Sequence, residues 1–387
     1  MNLELLLSAL GLRSSAQRPR SLARRSRRLL VENLEDRSLM AVADLDAYRP
    51  VTEFINYALH SVPESQEGSD KLGPGIRVNG DDDNGTLPGG YLGPDYRDPW
   101  PLPSVDNDLV QVDVSGAGSN FSLSWDPTAL AVWTTASKSA PVNPGEISVG
   151  QSQPLPLWVE YVAHGAAAPL TASLTLTVTN GFESAQDSVL FHRFQSVVIA
   201  IGGNSQDPRN FGDPRLGTFT MAGALYDQGY DVHMYSHNQI QSSSPGIGQG
   251  AAYNEVVSAV LQRDVDNVAI FGYSWGGGAT YELSYALSRN TALVPAGYKL
   301  QYTAYVDGIR HTSLFSAETR LPIGTMYHDN FYQRKDWLLK GNSVAGANNV
   351  NVTTQRSWGK GLVHTTIDDS AELQAELVGK LMTKVIA

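Results

Sequence analysis

Asn267-Val-Ala-Ile-Phe-Gly-Tyr-Ser-Trp-Gly-Gly-Gly-Ala-Thr280 sets a serine between glycines where an apolar run gives way to a helical one. Val268 to Phe271 is a short apolar run of the kind buried in a parallel sheet, and Ala279 to Leu287 puts Ala, Leu and Tyr on one side of a helix. Between them, Gly272-Tyr273-Ser274-Trp275-Gly276 fits G-x-S-x-G. In that pattern the serine occupies a strained strand-to-helix turn, and the glycines let strand and helix approach closely. The letters alone are cheap in a chain with 36 glycines, so the strand-turn-helix context carries the reading.

Strand and helix alternate on both sides of this stretch. Ser196 to Ile201, Asp231 to Tyr235, Gln301 to Val306, Gly324 to Tyr332 and Asn349 to Thr354 read as strands; Met221 to Gln228, Ala252 to Leu261 and Ala371 to Val385 read as helices. Such alternation predicts an α/β fold class, with a three-layer domain around a parallel central sheet over residues 195–387, whose ligands meet the carboxyl ends of the strands. Residues 105–194 have a period near two (Val110, Val112, Val114, then Phe121 and Leu123, Leu155 to Val162, Leu170 to Val178, Ser188 to Phe191), which predicts a β-sandwich. Trp125, Trp133 and Trp158 within it read as core, with a sugar-binding platform as the alternative. Residues 42–104 read as a Pro/Gly/Asp-rich linker holding one short helix, Val51 to Leu59.

A serine hydroxyl needs a base within hydrogen-bond reach, and the base needs a carboxylate to fix its tautomer. Of the histidines after Ser274, His311 lies early after a strand and His328 lies inside one. His364 stands in a loop before the last helix, where its ring is free to reach Ser274. Asp307 ends the strand Gln301 to Val306 and is the preferred acid; Asp329 and Asp336 compete, and Asp368 and Asp369 look like caps of the last helix. His233 and His237 share a strand face, but no third ligand for zinc is evident in the sequence.

The order Ser274, Asp307, His364 resembles the α/β-hydrolase superfamily of lipases and esterases, with the acid after the sixth strand as in pancreatic-type lipases, over residues 196–387. His364-Thr-Thr-Ile-Asp-Asp369 before a terminal helix is similar to the histidine loop of bacterial lipase-like members. The resemblance implies an oxyanion hole from two backbone N–H groups. One belongs to Trp275 and the other to the segment Gly202-Gly-Asn-Ser205, at Gly203 or Asn204. It also implies chemistry that requires no cofactor. The loop is not His-Gly-Gly-Gly, and no long lid separates the strands.

Charge divides the chain. Residues 1–41 hold eight Arg and four acids (+4), leaving 20 basic and 35 acidic residues (−15) for the remainder of a chain whose net charge is −11. So acidic a body argues against nucleic acid as partner. The Arg cluster followed by Leu34-Glu-Asp-Arg37 and small residues resembles the amino-terminal segment of many exported proteins of planctomycete bacteria, which implies that residues 1–41 direct export. No run reaches the ~18 apolar residues of a membrane span, and no cysteine is present, which excludes disulfides and thiol chemistry. Asn79-Gly-Asp-Asp-Asp-Asn-Gly85 concentrates oxygen ligands, and Asp81 and Asp83 are candidates for a structural calcium or for a solvated acidic turn. The expectation is an exported serine hydrolase cleaving a small-molecule, lipid or polymer ester. Its competitor is a catalytically silent surface, adhesion or carbohydrate-binding protein.

Overall fold

The structure, a computed structural model, describes residues 40–53, 56–69, 76–78, 110–149, 153–163, 168–204, 206, 217–228, 230–240, 250–262, 264–310 and 315–386. Sixteen strands and four helices of more than two turns are found among them. The expected export segment, the acidic turn with Asp81 and Asp83, and His311 lie outside the described residues.

Ten strands form two five-stranded sheets: β1 (Val42–Glu53), β2 (Asn56–Ser61), β3 (Ile76–Val78), β4 (Val110–Ala117), β5 (Asn120–Ser124), β6 (Leu130–Trp133), β7 (Gly145–Ile147), β8 (Leu155–Tyr161), β9 (Thr171–Thr179) and β10 (Ser184–Arg193). The orders are β2-β1-β4-β8-β6 and β3-β10-β9-β5-β7, antiparallel throughout except for β3 against β10. Alternation in the sequence becomes alternation in burial: Val110, Val112 and Val114 meet Leu174, Leu176 and Val178 in one shared core. Trp125 packs against that core. Trp133 and Trp158 depart from the core reading, because they sit opposite one another in the β6–β8 register, half-buried, at the positions that alternate with the buried ones.

Where a helix is expected over Val51 to Leu59, residues 51–53 and 56–59 are strand instead. β1 pairs β2 antiparallel with Val51 opposite Ala58, and β1 also pairs β4. Five of these nine residues are β-branched or aromatic, and pairing across the β1–β2 ladder outweighs a weak helical period. The sandwich thus takes strands from upstream of residue 105.

The remaining strands are β11 (Ser196–Gly202), β12 (Asp231–Ser236), β13 (Asn267–Tyr273), β14 (Lys299–Val306), β15 (Tyr327–Tyr332) and β16 (Asn348–Asn351), parallel in the order β12-β11-β13-β14-β15-β16. Helices α1 (Gly217–Asp227), α2 (Ala251–Gln262), α3 (Trp275–Ser288) and α4 (Ala371–Lys384) cover it. Met221 and Leu225 of α1 and Leu373, Leu377 and Leu381 of α4 bury against Phe271, Ala304 and Phe331. Val256 and Val260 of α2 and Leu283 and Leu287 of α3 bury against Ile199, Ile201 and Ile270.

The expected class, α/β with a three-layer hydrolase domain around a parallel central sheet, is not what the chain forms. Most strands belong to the two largely antiparallel sheets, and the fold is β-rich. Within the parallel sheet the required alternation fails as well: the β14–β15 connection holds no helix among the described residues, and the β15–β16 connection holds none at all. The apolar runs that marked these strands were legible, but the long polar connections between them carry no helical period. No helix among the described residues is long and apolar enough to cross a membrane.

The α3 start is wedged against the sheet. A Cβ on Gly276 would lie 2.2 Å from the Ile201 carbonyl oxygen, so β11 and the first turn of α3 meet backbone to backbone. Gly276→Ala is therefore expected to destabilise the fold by about 3 kcal/mol, read from urea unfolding; a change under about 0.5 kcal/mol would contradict this contact.

Candidate active site

Ser274 sits between β13 and α3 with φ 53° and ψ −120°, a conformation that L-residues rarely adopt. Three backbone bonds hold it there. Its N–H donates to the Val306 carbonyl at 3.0 Å, and its carbonyl accepts from Gly277 N–H at 3.0 Å and Ile309 N–H at 2.8 Å. Strand end, helix start and the neighbouring β14 exit are thus fastened to one residue, and the serine side chain is left at the carboxyl edge of the sheet.

His364 meets Ser274 from the loop before α4, its Nε2 2.8 Å from Ser274 Oγ. Its other nitrogen, Nδ1, lies 2.7 Å from Asp307 Oδ2. Asp307 is fully buried just past β14, also at positive φ (47°), and its N–H donates to the Phe331 carbonyl. Four N–H groups converge on its carboxylate: Gln333 N and Gly341 N on Oδ1, Gln333 Nε2 and His364 Nδ1 on Oδ2. A carboxylate receiving four donors acts as acceptor, so the His364 proton resides on Nδ1 and Nε2 is free to accept the serine hydroxyl proton. Tyr273 steadies the base from behind. Its hydroxyl donates to the His364 carbonyl at 2.6 Å and its ring stacks on the imidazole at 5.4 Å between centroids.

The segment after β11 lies beside Ser274. A Cβ on Gly203 would fall 3.0 Å from Ser274 Cβ and 2.9 Å from Tyr273 Cδ1, so only glycine leaves both in place. Gly203 N–H donates to Gln206 Oε1 at 3.1 Å, and its carbonyl accepts from Gln206 N–H at 3.1 Å and from His237 Nδ1 at 3.2 Å. The Gly203 amide is thereby turned to Gln206 rather than left for a ligand. In a trans peptide the C=O and the following N–H point oppositely, so the carbonyl's tether to His237 aims Asn204 N–H the other way. Trp275 opens α3, where amides face the helix start, and its ring takes the edge of His237 at 5.0 Å.

The other candidates lie elsewhere or do other work. Asp329 accepts from Tyr302 Oη, Asn348 Nδ2 and Lys380 Nζ, which ties β15 to α4. Asp336 accepts from Leu338 N and Leu339 N within its own turn. The cap of α4 is Ser370, whose Oγ accepts from Leu373 N; Asp368 is instead buried and bonded to Gln206, correcting its reading as a cap. His233 has carboxylate neighbours the sequence did not reveal: its Nε2 lies 2.8 Å from Asp231 Oδ1 and 3.3 Å from Glu255 Oε1, all three residues buried. The three offer one ligand atom each within 4.8 Å of one another, a set that could hold a metal ion. Gln333, Gln206 and Tyr273 were missed because they act through amide and phenol groups that no spacing marks.

No protein-family model matches the chain, and no curated protein matches it. The site therefore rests on its own geometry.

His328 is set apart from the triad, its Nδ1 2.8 Å from Thr303 Oγ1 and its ring edge-on to Tyr305. Burial pushes its pKa down to about 4, against a partial counter-effect from Asp329. The folded value lies below the unfolded ~6.5, so this group's contribution is present above pH ~6.5 and is lost as pH falls through about 4, on the order of 3 kcal/mol in all. Urea unfolding between pH 4 and 7 is expected to show this slope, and His328→Gln to flatten it; an unchanged slope in the variant would assign the loss to other groups.

Proposed function

We propose that this protein is a serine hydrolase that cleaves a carboxylic ester through an acyl-enzyme on Ser274. The observation that carries the reading is the unbroken chain Ser274 Oγ, His364 Nε2, His364 Nδ1, Asp307 Oδ2, with contacts of 2.8 and 2.7 Å in a buried setting. Ser274 Oγ adds to the ester carbonyl as its proton passes to His364 Nε2, and Asp307 stabilises the imidazolium without taking the proton. The oxyanion meets the N–H groups of Asn204 and Trp275. Collapse breaks the bond to the alcohol, which leaves with the proton from His364. Water then repeats the sequence and releases the acid. The chemistry asks for no metal or redox group.

Two positive-φ residues, Ser274 and Asp307, support an active rather than a silent site, since backbone strain concentrates where function requires a fixed geometry. Phe315, Trp337 and Leu338, exposed in the connections that follow β14 and β15 at the serine's edge of the sheet, support an ester with carbon-rich parts, whether small molecule, lipid or polymer. The acidic body speaks against nucleic acid. Export, directed by residues 1–41, and a structural calcium at Asp81 and Asp83 belong to the same proposal and rest on the sequence alone.

Ser274→Ala is expected to abolish both fluorophosphonate labelling and turnover of p-nitrophenyl esters while leaving circular dichroism unchanged. Turnover persisting at the wild-type rate would refute the nucleophile. Asp307→Asn should lower kcat by about 10⁴ by favouring the wrong imidazole tautomer, whereas Asp329→Asn leaves kcat near wild type; the reverse pattern would move the acid to β15.

A further inference from the structure

The triad makes no use of one buried carboxyl close to it. Asp368 stands four residues past His364, 1% exposed, and its Oδ2 accepts from Gln206 Nε2 at 2.7 Å. The far side of that amide, Gln206 Oε1, accepts from Gly203 N–H at 3.1 Å and from Thr218 Oγ1 at 3.0 Å. Gln374 Nε2 holds the Asp368 carbonyl at 2.8 Å, and a Cβ on Gly217 would strike that same carbonyl, so α1 and α4 clamp the residue's backbone.

A side-chain amide has two orientations, and the neighbours decide between them. An ionised carboxylate only accepts, so it draws Nε2 and leaves Oε1 on the Gly203 N–H. A protonated carboxyl can donate to Oε1 as well. The carboxyl then no longer fixes the amide, and in the turned-over orientation its NH₂ confronts the Gly203 N–H, donor against donor. Gly203 is the residue packed on Ser274 and Tyr273, and its carbonyl shares a peptide plane with the Asn204 N–H.

We propose that Asp368 is a positioning residue of this hydrolase: its carboxylate orients the Gln206 amide, which holds the Gly203–Asn204 backbone beside Ser274 for the oxyanion. This rests on the serine-hydrolase reading above.

The surroundings give the relay a pH range. Among the described residues, the ionisable groups facing Asp368 are Asp369 beside it, His364 from the same loop and Tyr273 from β13; Gln206, Thr218 and Gln374 are uncharged. Burial pushes the Asp368 pKa up to about 7 and Asp369 adds to the rise, against the Gln206 bond and His364. The orienting charge is therefore present above neutrality and fades as pH falls, where an ordinary surface aspartate would stay ionised.

The test is steady-state hydrolysis of p-nitrophenyl butyrate from pH 5 to 9 by wild type, Asp368→Asn, Asp368→Leu and Gln206→Ala, each first checked for folding by circular dichroism and for fluorophosphonate labelling. In wild type the protonation of Asp368 adds to the acid limb, so log kcat is expected to fall more steeply with falling pH in wild type than in Asp368→Asn. Asparagine presents a donor and an acceptor at every pH, as the protonated acid does, so Asp368→Asn should lower kcat by about tenfold at pH 8.5 and leave a shallower acid limb than that of wild type. Asp368→Leu and Gln206→Ala should lose about 10²-fold in kcat with KM unchanged, as expected when one oxyanion donor is misplaced. An acid limb in Asp368→Asn identical to that of wild type would overturn the proposal, as would wild-type kcat in Gln206→Ala. If Asp368→Leu does not fold, the Asn and Gln206 variants decide alone. A wild type that neither labels nor turns over the ester defeats the hydrolase reading and this relay together; labelling and turnover with an unaltered Asp368→Asn profile defeat only the relay.

Discussion

The backbone of Ser274 is the constraint on which the rest of the molecule turns. It donates to the exit of β14 and accepts from the start of α3 and from Ile309, so one strained residue joins two strands and a helix. Such a conformation costs on the order of 1–3 kcal/mol and persists only where surrounding contacts over-determine it. Those contacts are visible: Gly276 lets α3 lie on Ile201, and the buried runs of β11 and β13 hold the sheet rigid beneath.

Charge placement follows from the same edge. Asp307 carries its carboxylate in a site without exposure, which is tolerable because four N–H groups receive it. Two of those donors come from Gln333 and one from Gly341, both in the helix-free connection after β15. The departure from regular strand-helix alternation is thus where the acid finds its support. A crossover helix there would satisfy its own amides and have none to spare for a neighbouring carboxylate.

The serine, the histidine and the acid were legible because each obeys a local rule: the serine between glycines after an apolar run, the acid at a strand end, the histidine in the last loop. The strands of the parallel sheet were legible for the same reason, being short apolar runs. The fold class was not. β1 and β2 carry a residue mixture that reads equally as a short helix; their pairing with each other, Val51 opposite Ala58, decides for a sheet, and Leu45 and Ala47 of β1 carry that sheet on to Val114 and Val112 of β4. Gln206 and Asp368 are 162 positions apart, and an amide and a carboxyl at that separation leave no trace in any window.

Trp337 stands 82% exposed on the loop whose stem and far end, Gln333 and Gly341, grip Asp307. Recognition and chemistry therefore share one mechanical part. A molecule that leans on the tryptophan also leans on the amides that hold Asp307, so in the proposed hydrolase substitutions that retune which ester is admitted will shift how fast it is cut. In this architecture selectivity and turnover are not independent dials, and the loop from Gln333 to Gly341 is the shaft that couples them.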